Sequence, residues 1–289
     1  VPKRAGKIGK LLAWLAAAAV LQAGVYLYLD RVLLAPASPF QVGAVTGKED
    51  IVTTGKVYYS RDRRYMAHVK NDQVEIYSMK DKKLVRTVDL EEKRVSYFKW
   101  LEDRDLALMG LYHDGAAQTE VTLTQLFPEP GIHEVATTIK ELPKGSRITD
   151  VAYSVATNVI YIQVKTASNI YRIYRTDANH NLARIYLNTN NIGRIAVLFD
   201  QDTLIYDDLT HNTVNMREGN GRWRVISPPN GRYRLVGVDH DNNIYIAKLN
   251  EEGLSESIYR GRLQVGFFHQ RDLRAPVDAR ELTLSDVMG

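Results

Sequence analysis

The sequence predicts an all-β protein, a single β-propeller of five or six blades preceded by one N-terminal transmembrane helix. Three observations carry this expectation. From Val57 onward, apolar residues recur at strand period or in short β-branched runs between turn residues, with no long amphipathic helix. A pair of strands around a turn returns at a spacing near forty residues. Nineteen uncharged, mostly apolar residues, Leu11 to Leu29, stand ahead of this region.

In chain order, residues 1–10 form a basic tail carrying Lys3, Arg4, Lys7 and Lys10. The segment LLAWLAAAAVLQAGVYLYL follows, and as a helix its nineteen residues would rise about 28 Å, close to the hydrocarbon thickness of a bilayer. Trp14 near one end and Tyr26 and Tyr28 near the other suit the two interfaces. Positive charge precedes the segment, whereas Asp30 and Arg31 cancel after it, so the N-terminus is expected in the cytoplasm and the rest of the chain outside. A cleaved signal peptide is the competing reading, because Ala35-Pro36-Ala37 ahead of Ser38 has the small-residue cleavage pattern. Residues 30–54 form a linker, stiffened by Pro36 and Pro39, with a candidate closing strand at Phe40 to Val45.

The propeller is expected over residues 55–269, with 270–289 as a tail that lacks blade character. Aligning the turns at Arg61, Glu102, Val155, Asp200 and Asp239 gives separations of 41, 53, 45 and 39 residues. Such a unit makes three or four short strands, and blades packed around an axis cover faces that one small sheet leaves bare. Five units are visible, and a sixth could pair FQVGAV with LQVGFF, Leu263 to Phe268. An open sandwich of irregular meanders is the alternative fold.

The stretch Ser60-Arg61-Asp62-Arg63-Arg64-Tyr65, followed by Val74-Glu75-Ile76-Tyr77, and the stretch Ser227-Pro228-Pro229-Asn230-Gly231-Arg232-Tyr233, followed by Asn243-Ile244-Tyr245-Ile246, resemble the blade signature of TolB-like and other WD-repeat-like propellers. That resemblance implies that the Ser-Pro-x-x-Gly element turns between blades and that the next strand runs toward the central axis. Arg61 in place of Pro and Arg63 in place of Gly depart from the signature. Propellers of this kind serve as scaffolds, binding modules and accessory domains of enzymes.

Chemistry is thinly marked. There is no cysteine, which removes thiol nucleophiles, disulfides and cysteine-ligated zinc. No G-x-S-x-G elbow and no phosphate-binding glycine loop occurs. The oxygen-rich runs Asp239 to Asn243 and Asp177 to Asn181 read as hairpin turns rather than metal loops, and the seven His residues are scattered, so no metal and no cofactor is expected. Asp150, Asp202, Asp207 and Asp208 are candidates for a carboxylate pair at the axis, although Asp207-Asp208 reads as solvated surface. Lys and Arg number 38 against 34 Asp and Glu, a net charge of +4 with four positive side chains in the first ten residues, which argues against nucleic acid as a partner.

Arginines are the remaining candidates. Arg222, Arg224, Arg232 and Arg234 flank the Ser-Pro-Pro-Asn-Gly turn and could form an anion-binding strip, and Arg260/Arg262 is a third R-x-R pair. The region 217–289 nevertheless has a net charge of only +1, so local pairing competes with such a site. The expected function is a membrane-anchored, extracytoplasmic, non-catalytic binding or scaffold protein that engages the bilayer through residues 11–29 and a partner protein or envelope polymer through the propeller. The alternatives are an envelope carbohydrate-active enzyme using carboxylates at the axis, and a secreted binding protein cleaved after Ala37.

Overall fold

In the computed structural model, the described residues are Gln22 and residues 55–288 except 71, 132, 133 and 180. The basic tail, the apolar segment 11–29 apart from Gln22, the Ala35-Pro36-Ala37 motif and the candidate strand Phe40 to Val45 lie outside them. Among the described residues no helix is long and apolar enough to cross a membrane.

Twenty strands form five four-stranded sheets, each a meander in chain order. The first contains β1 (Lys56–Tyr59), β2 (Tyr65–Val69), β3 (Gln73–Ser78) and β4 (Lys83–Asp89), and the second β5 (Arg94–Trp100), β6 (Ala107–Asp114), β7 (Gln118–Leu126) and β8 (Ala136–Pro143). The third contains β9 (Arg147–Ser154), β10 (Val159–Ala167), β11 (Ile170–Thr176) and β12 (Ala183–Ile185). The fourth is β13 (Ile192–Val197), β14 (Thr203–Asp208), β15 (Thr213–Glu218) and β16 (Trp223–Val225). The fifth is β17 (Tyr233–Val238), β18 (Ile244–Leu249), β19 (Ser255–Arg262) and β20 (Gly266–Val277), followed by a short helix α1 (Leu284–Met288). First strands pack on one another in order, β1 on β5, β5 on β9, β9 on β13 and β13 on β17, so they lie innermost and the fourth strands outermost.

Alternation along each strand explains the packing. Val74 and Ile76 meet Phe98, Trp100 and Met109 between the first two sheets, and Leu108, Val121 and Leu123 meet Ile148, Ile162 and Val164 between the next two. Tyr161 and Ile173 meet Leu204 and Tyr206 between the third and fourth, and Ile205, Val214 and Met216 meet Leu235, Ile244 and Ile246 between the fourth and fifth. All six residues of β14 are buried, because both of its faces are covered by neighbouring sheets. Asp207 and Asp208, read from the sequence as solvated surface, are therefore interior, at 3% and 1% exposure.

The two copies of the blade signature occupy different places. Ser227 to Arg232 joins β16 to β17, a turn between sheets as the resemblance implied, and the strand it feeds is an innermost one. Ser60 to Arg64 instead joins β1 to β2 within the first sheet. Arg63, where the signature has Gly, takes the left-handed conformation a glycine would, with φ of 56°.

Two further expectations are corrected. The segment Leu263 to Phe268 is not a separate closing strand, because Leu263 to Val265 turn between β19 and β20 and Gly266 to Phe268 begin β20. The C-terminal residues 270–288 have blade character after all: β20 continues to Val277, and Leu282 and Val287 then fold back and bury against Val236, Tyr245, Ala247 and Ile258 of the fifth sheet. Their spacing did not read as a strand because β20 pairs irregularly with β19, with register shifts at Ser255/Ser257 and Ile258/Tyr259.

Candidate functional site

The five turns aligned in the sequence lie at one end of the sheets, each joining a first strand to a second. They are bonded to one another in series. Arg61 donates to the Glu102 carbonyl (2.8 Å), the Glu102 amide to the Tyr153 hydroxyl (3.2 Å), and Ser154 to the Phe199 carbonyl. The Phe199 amide then donates to Asn242 Oδ1 (2.7 Å), whose amide nitrogen reaches Asp200 (2.6 Å). Asn242, at φ of 60°, holds the left-handed turn that presents its side chain to the neighbouring sheet.

The innermost strands of the second to fifth sheets each carry a bulge, at Ser96, Thr149, Gly193-Arg194 and Val236, whereas β1 pairs with β2 without interruption. A bulge releases a backbone amide, and an innermost strand has no further strand to accept it. Two of the candidate carboxylates do so. Asp150 of the third sheet accepts the Ile195 amide of the fourth at 3.2 Å. Asp207 of the fourth accepts the Leu235 amide of the fifth at 2.5 Å and the Arg194 amide at 3.1 Å. A Cβ on Gly193 would stand 2.8 Å from the Asp207 side chain, so only glycine lets that carboxylate approach. Burial raises both carboxyls, Asp207 to about 7, against the backbone bonds and nearby Arg234 and Arg194 that favour the charged form.

The other two are also committed. Asp202 accepts the Tyr161 hydroxyl (2.5 Å) and a two-pronged guanidinium from Arg175 (3.0 and 2.9 Å), joining the third and fourth sheets. Asp208 caps the turn after β14 through the amides of Thr210 and His211 and pairs with the His211 ring at 2.7 Å. The oxygen-rich runs behave as turns: Asp239 accepts the amides of Asp241 and Asn243 and the Tyr245 hydroxyl, and Asp177 accepts those of Asn179 and Asn181.

The four arginines expected as a strip occupy separate surroundings. Arg222 precedes β16 and pairs with Glu218 at 3.2 Å, and Arg224 on β16 donates to the Leu263 carbonyl of the fifth sheet at 3.0 Å. Arg232 bonds the carbonyls of Asn250 and Glu251 at the opposite end of the fifth sheet. Arg234 is half-buried on β17, donating to Tyr233 O and to Asn212 Oδ1 (2.7 Å), and burial lowers its pKa. Alternation placed each pair on one face, but the turn between them separates the pairs.

The third R-x-R pair faces open space. A cavity of about 290 Å³ on the fifth sheet is lined by Arg260, Arg262, Val265, Phe268, Gln270 and Asn243. Tyr245, Arg260 and Phe268 are cross-strand neighbours, so they form one row on the face turned away from the fourth sheet. The Arg260 guanidinium lies 5.9 Å from the Tyr245 ring centre and, among the described residues, pairs with no carboxylate. Arg262 uses Nε on Asn243 Oδ1 (2.9 Å), and Asp272 is engaged by His269 (2.8 Å). Val265 and Phe268 are 64% and 63% exposed at this rim. Two guanidiniums with open donors beside bare apolar side chains can take a carboxylate attached to an apolar group.

No protein-family model matches the sequence, and no curated protein sequence matches it. Among solved structures the chain is similar to prolyl oligopeptidase B from Galerina marginata, at 10% identity and a TM-score of 0.53 over 79% of this chain and 35% of that one. It is similar to Porphyromonas gingivalis dipeptidyl peptidase 4, at 11% identity and a TM-score of 0.50 over 74% of this chain and 38% of that one. The Dos1 propeller is similar at 9% identity and a TM-score of 0.47, over 76% and 71% of the two chains. The structural neighbours are β-propeller proteins, and with its five radial four-stranded sheets this chain has the propeller fold.

Proposed function

We propose that the chain is a membrane-anchored, extracytoplasmic and non-catalytic propeller that binds a partner protein or envelope polymer. The observation that carries this reading is the open cavity on the fifth sheet, where Arg260 and Arg262 present donors beside exposed Val265 and Phe268. The carboxylates near the axis support binding over catalysis, since Asp150 and Asp207 are occupied by backbone amides of the neighbouring sheet. Anchoring is supported by the uncharged run Leu11 to Leu29 behind four positive side chains. A domain held at a membrane meets its partner there at raised effective concentration.

Three measurements on the full-length protein test the reading. Alkaline extraction of membranes should leave the chain in the bilayer fraction, and N-terminal sequencing should not begin at Ser38; release, or a Ser38 start, overturns the anchor. Crosslinked affinity capture from the same membranes should recover a stoichiometric protein or polymer. Recovery of the chain alone overturns the binding function.

A further inference from the structure

The face of the fifth sheet that carries the cavity already holds a segment of this chain. Leu282 and Val287 are buried on it, and Leu284 lies against Gly237, where an added Cβ would come within 3.2 Å of the leucine. The segment that supplies these apolar side chains, residues 278–288, also carries Asp278, Glu281 and Asp286 against a single Arg280. Its backbone is held by side chains of β20: Gln270 donates to the Val287 carbonyl at 3.0 Å, and Arg271 to the Asp286 carbonyl. Gln270 also lines the cavity. The covered and open parts therefore share a sheet face, a lining residue and a pattern of arginine beside apolar surface.

Resting on the binding function proposed above, we infer that the cavity at Arg260, Arg262 and Phe268 docks an extended polypeptide segment of a partner that presents acidic and apolar side chains on one face. Arg260 and Arg262 are two apart on β19 and lie on the same face of the sheet, about 7 Å apart along the strand. A ligand strand has the same repeat, so acidic side chains two residues apart meet both guanidiniums. Phe268 stands directly across from Arg260 in β20, so it contacts an apolar side chain on that same face of the ligand, an even number of residues from the acids. A purely ionic polymer matches the arginines but leaves Phe268 and Val265 uncovered, so the acidic and apolar polypeptide is the better complement.

The test uses the full-length protein in detergent and a fluorescein-labelled twelve-residue Asp–Leu peptide, two repeats of Asp-Ser-Asp-Ser-Leu-Ser that set Asp and Leu on one face of an extended chain, read by anisotropy. Peptides of alternating Asp and Ser and of alternating Lys and Leu, and inorganic polyphosphate, serve as comparisons. The Asp–Leu peptide should bind, with affinity falling about tenfold or more in R260Q/R262Q and about fivefold in Phe268→Ser, and with little change in R222Q/R232Q. Unaltered thermal unfolding of each variant shows that the fold is intact. Absence of Asp–Leu binding up to about 1 mM overturns the inference, as does binding indifferent to R260Q/R262Q. Equal binding of polyphosphate with no dependence on Phe268 overturns it in favour of an anionic polymer. If R260Q/R262Q still captures its partner from membranes, this site fails while the binding function stands; if the wild-type chain captures nothing, the function itself fails.

Discussion

The two faces of the fifth sheet are made by the same strands and differ by one residue of register. Ile244 and Ile246 point into the joint with the fourth sheet, where Leu235, Met216 and Ile205 enclose them. Tyr245 and Ala247 point the other way, toward Leu282 and Val287 and then into open space at Arg260 and Arg262. One face is sealed by aliphatic packing, and the other is half covered by the chain's own acidic segment. The difference teaches that in a sheet of this kind interior and ligand surface are separated only by alternation, so stability and binding can be altered independently.

Substitutions can break that separation at graded cost. Ile246→Ala, on the sealed face, should cost about 2–5 kcal/mol in urea unfolding, because close packing on both sides prevents the site from collapsing. Asp207→Ala comes next, since it orphans the buried amide of Leu235, at about 1–3 kcal/mol, and returns the part-buried Arg194 amide to solvent. Val287→Ala, under the covered half of the open face, should cost about 1–2 kcal/mol and leave peptide binding at Arg260 measurable. R260Q/R262Q should change stability by no more than about 0.5 kcal/mol. An equal loss from Val287→Ala and Ile246→Ala would erase the distinction between the two faces.

Asp207 adds a pH dependence to the sealed joint. Its carboxyl is raised from an ordinary value of 3.8 to about 7, so the folded chain holds this proton more tightly than the unfolded chain. Stability from this group is complete below 3.8 and falls as pH rises through about 7, above which it is flat. Asp207→Asn should remove that slope while keeping an acceptor for the Leu235 amide. Unfolding midpoints measured between pH 4 and pH 8 check this, and an unchanged slope would assign the dependence to another group.

Much of the fold was legible because the inner turns are regular. They contain 5, 6, 4, 5 and 5 residues, so aligning Arg61, Glu102, Val155, Asp200 and Asp239 located five equivalent corners. The wider spacing of 53 arises partly elsewhere, in the long connection between β7 and β8. The candidate site was less legible, since the Arg222 and Arg232 pairs looked alike in sequence but end at opposite ends of the sheets. Arg260 and Arg262 carried the same R-x-R signal, and what distinguishes them is the lack of a covering sheet, a property of tertiary packing. Asp207-Asp208 was misread for the same reason: charge signals exposure only where no neighbouring strand offers an amide. The sequence hint available was Gly193, whose missing side chain admits the carboxylate.

The serial bonds among the five inner turns also set where this protein can tolerate added residues. Lengthening the turn at Glu102 would pull its carbonyl from Arg61 and its amide from Tyr153, so damage in one corner spreads to the sheets on both sides. At the other end, the turn after β6 closes on itself through the Gly115 amide and the Gln118 carbonyl, and Lys144 of the same sheet covers it. Insertions, peptide tags and new chain termini belong at that turn, at Ala116 and Ala117, rather than at the inner corners.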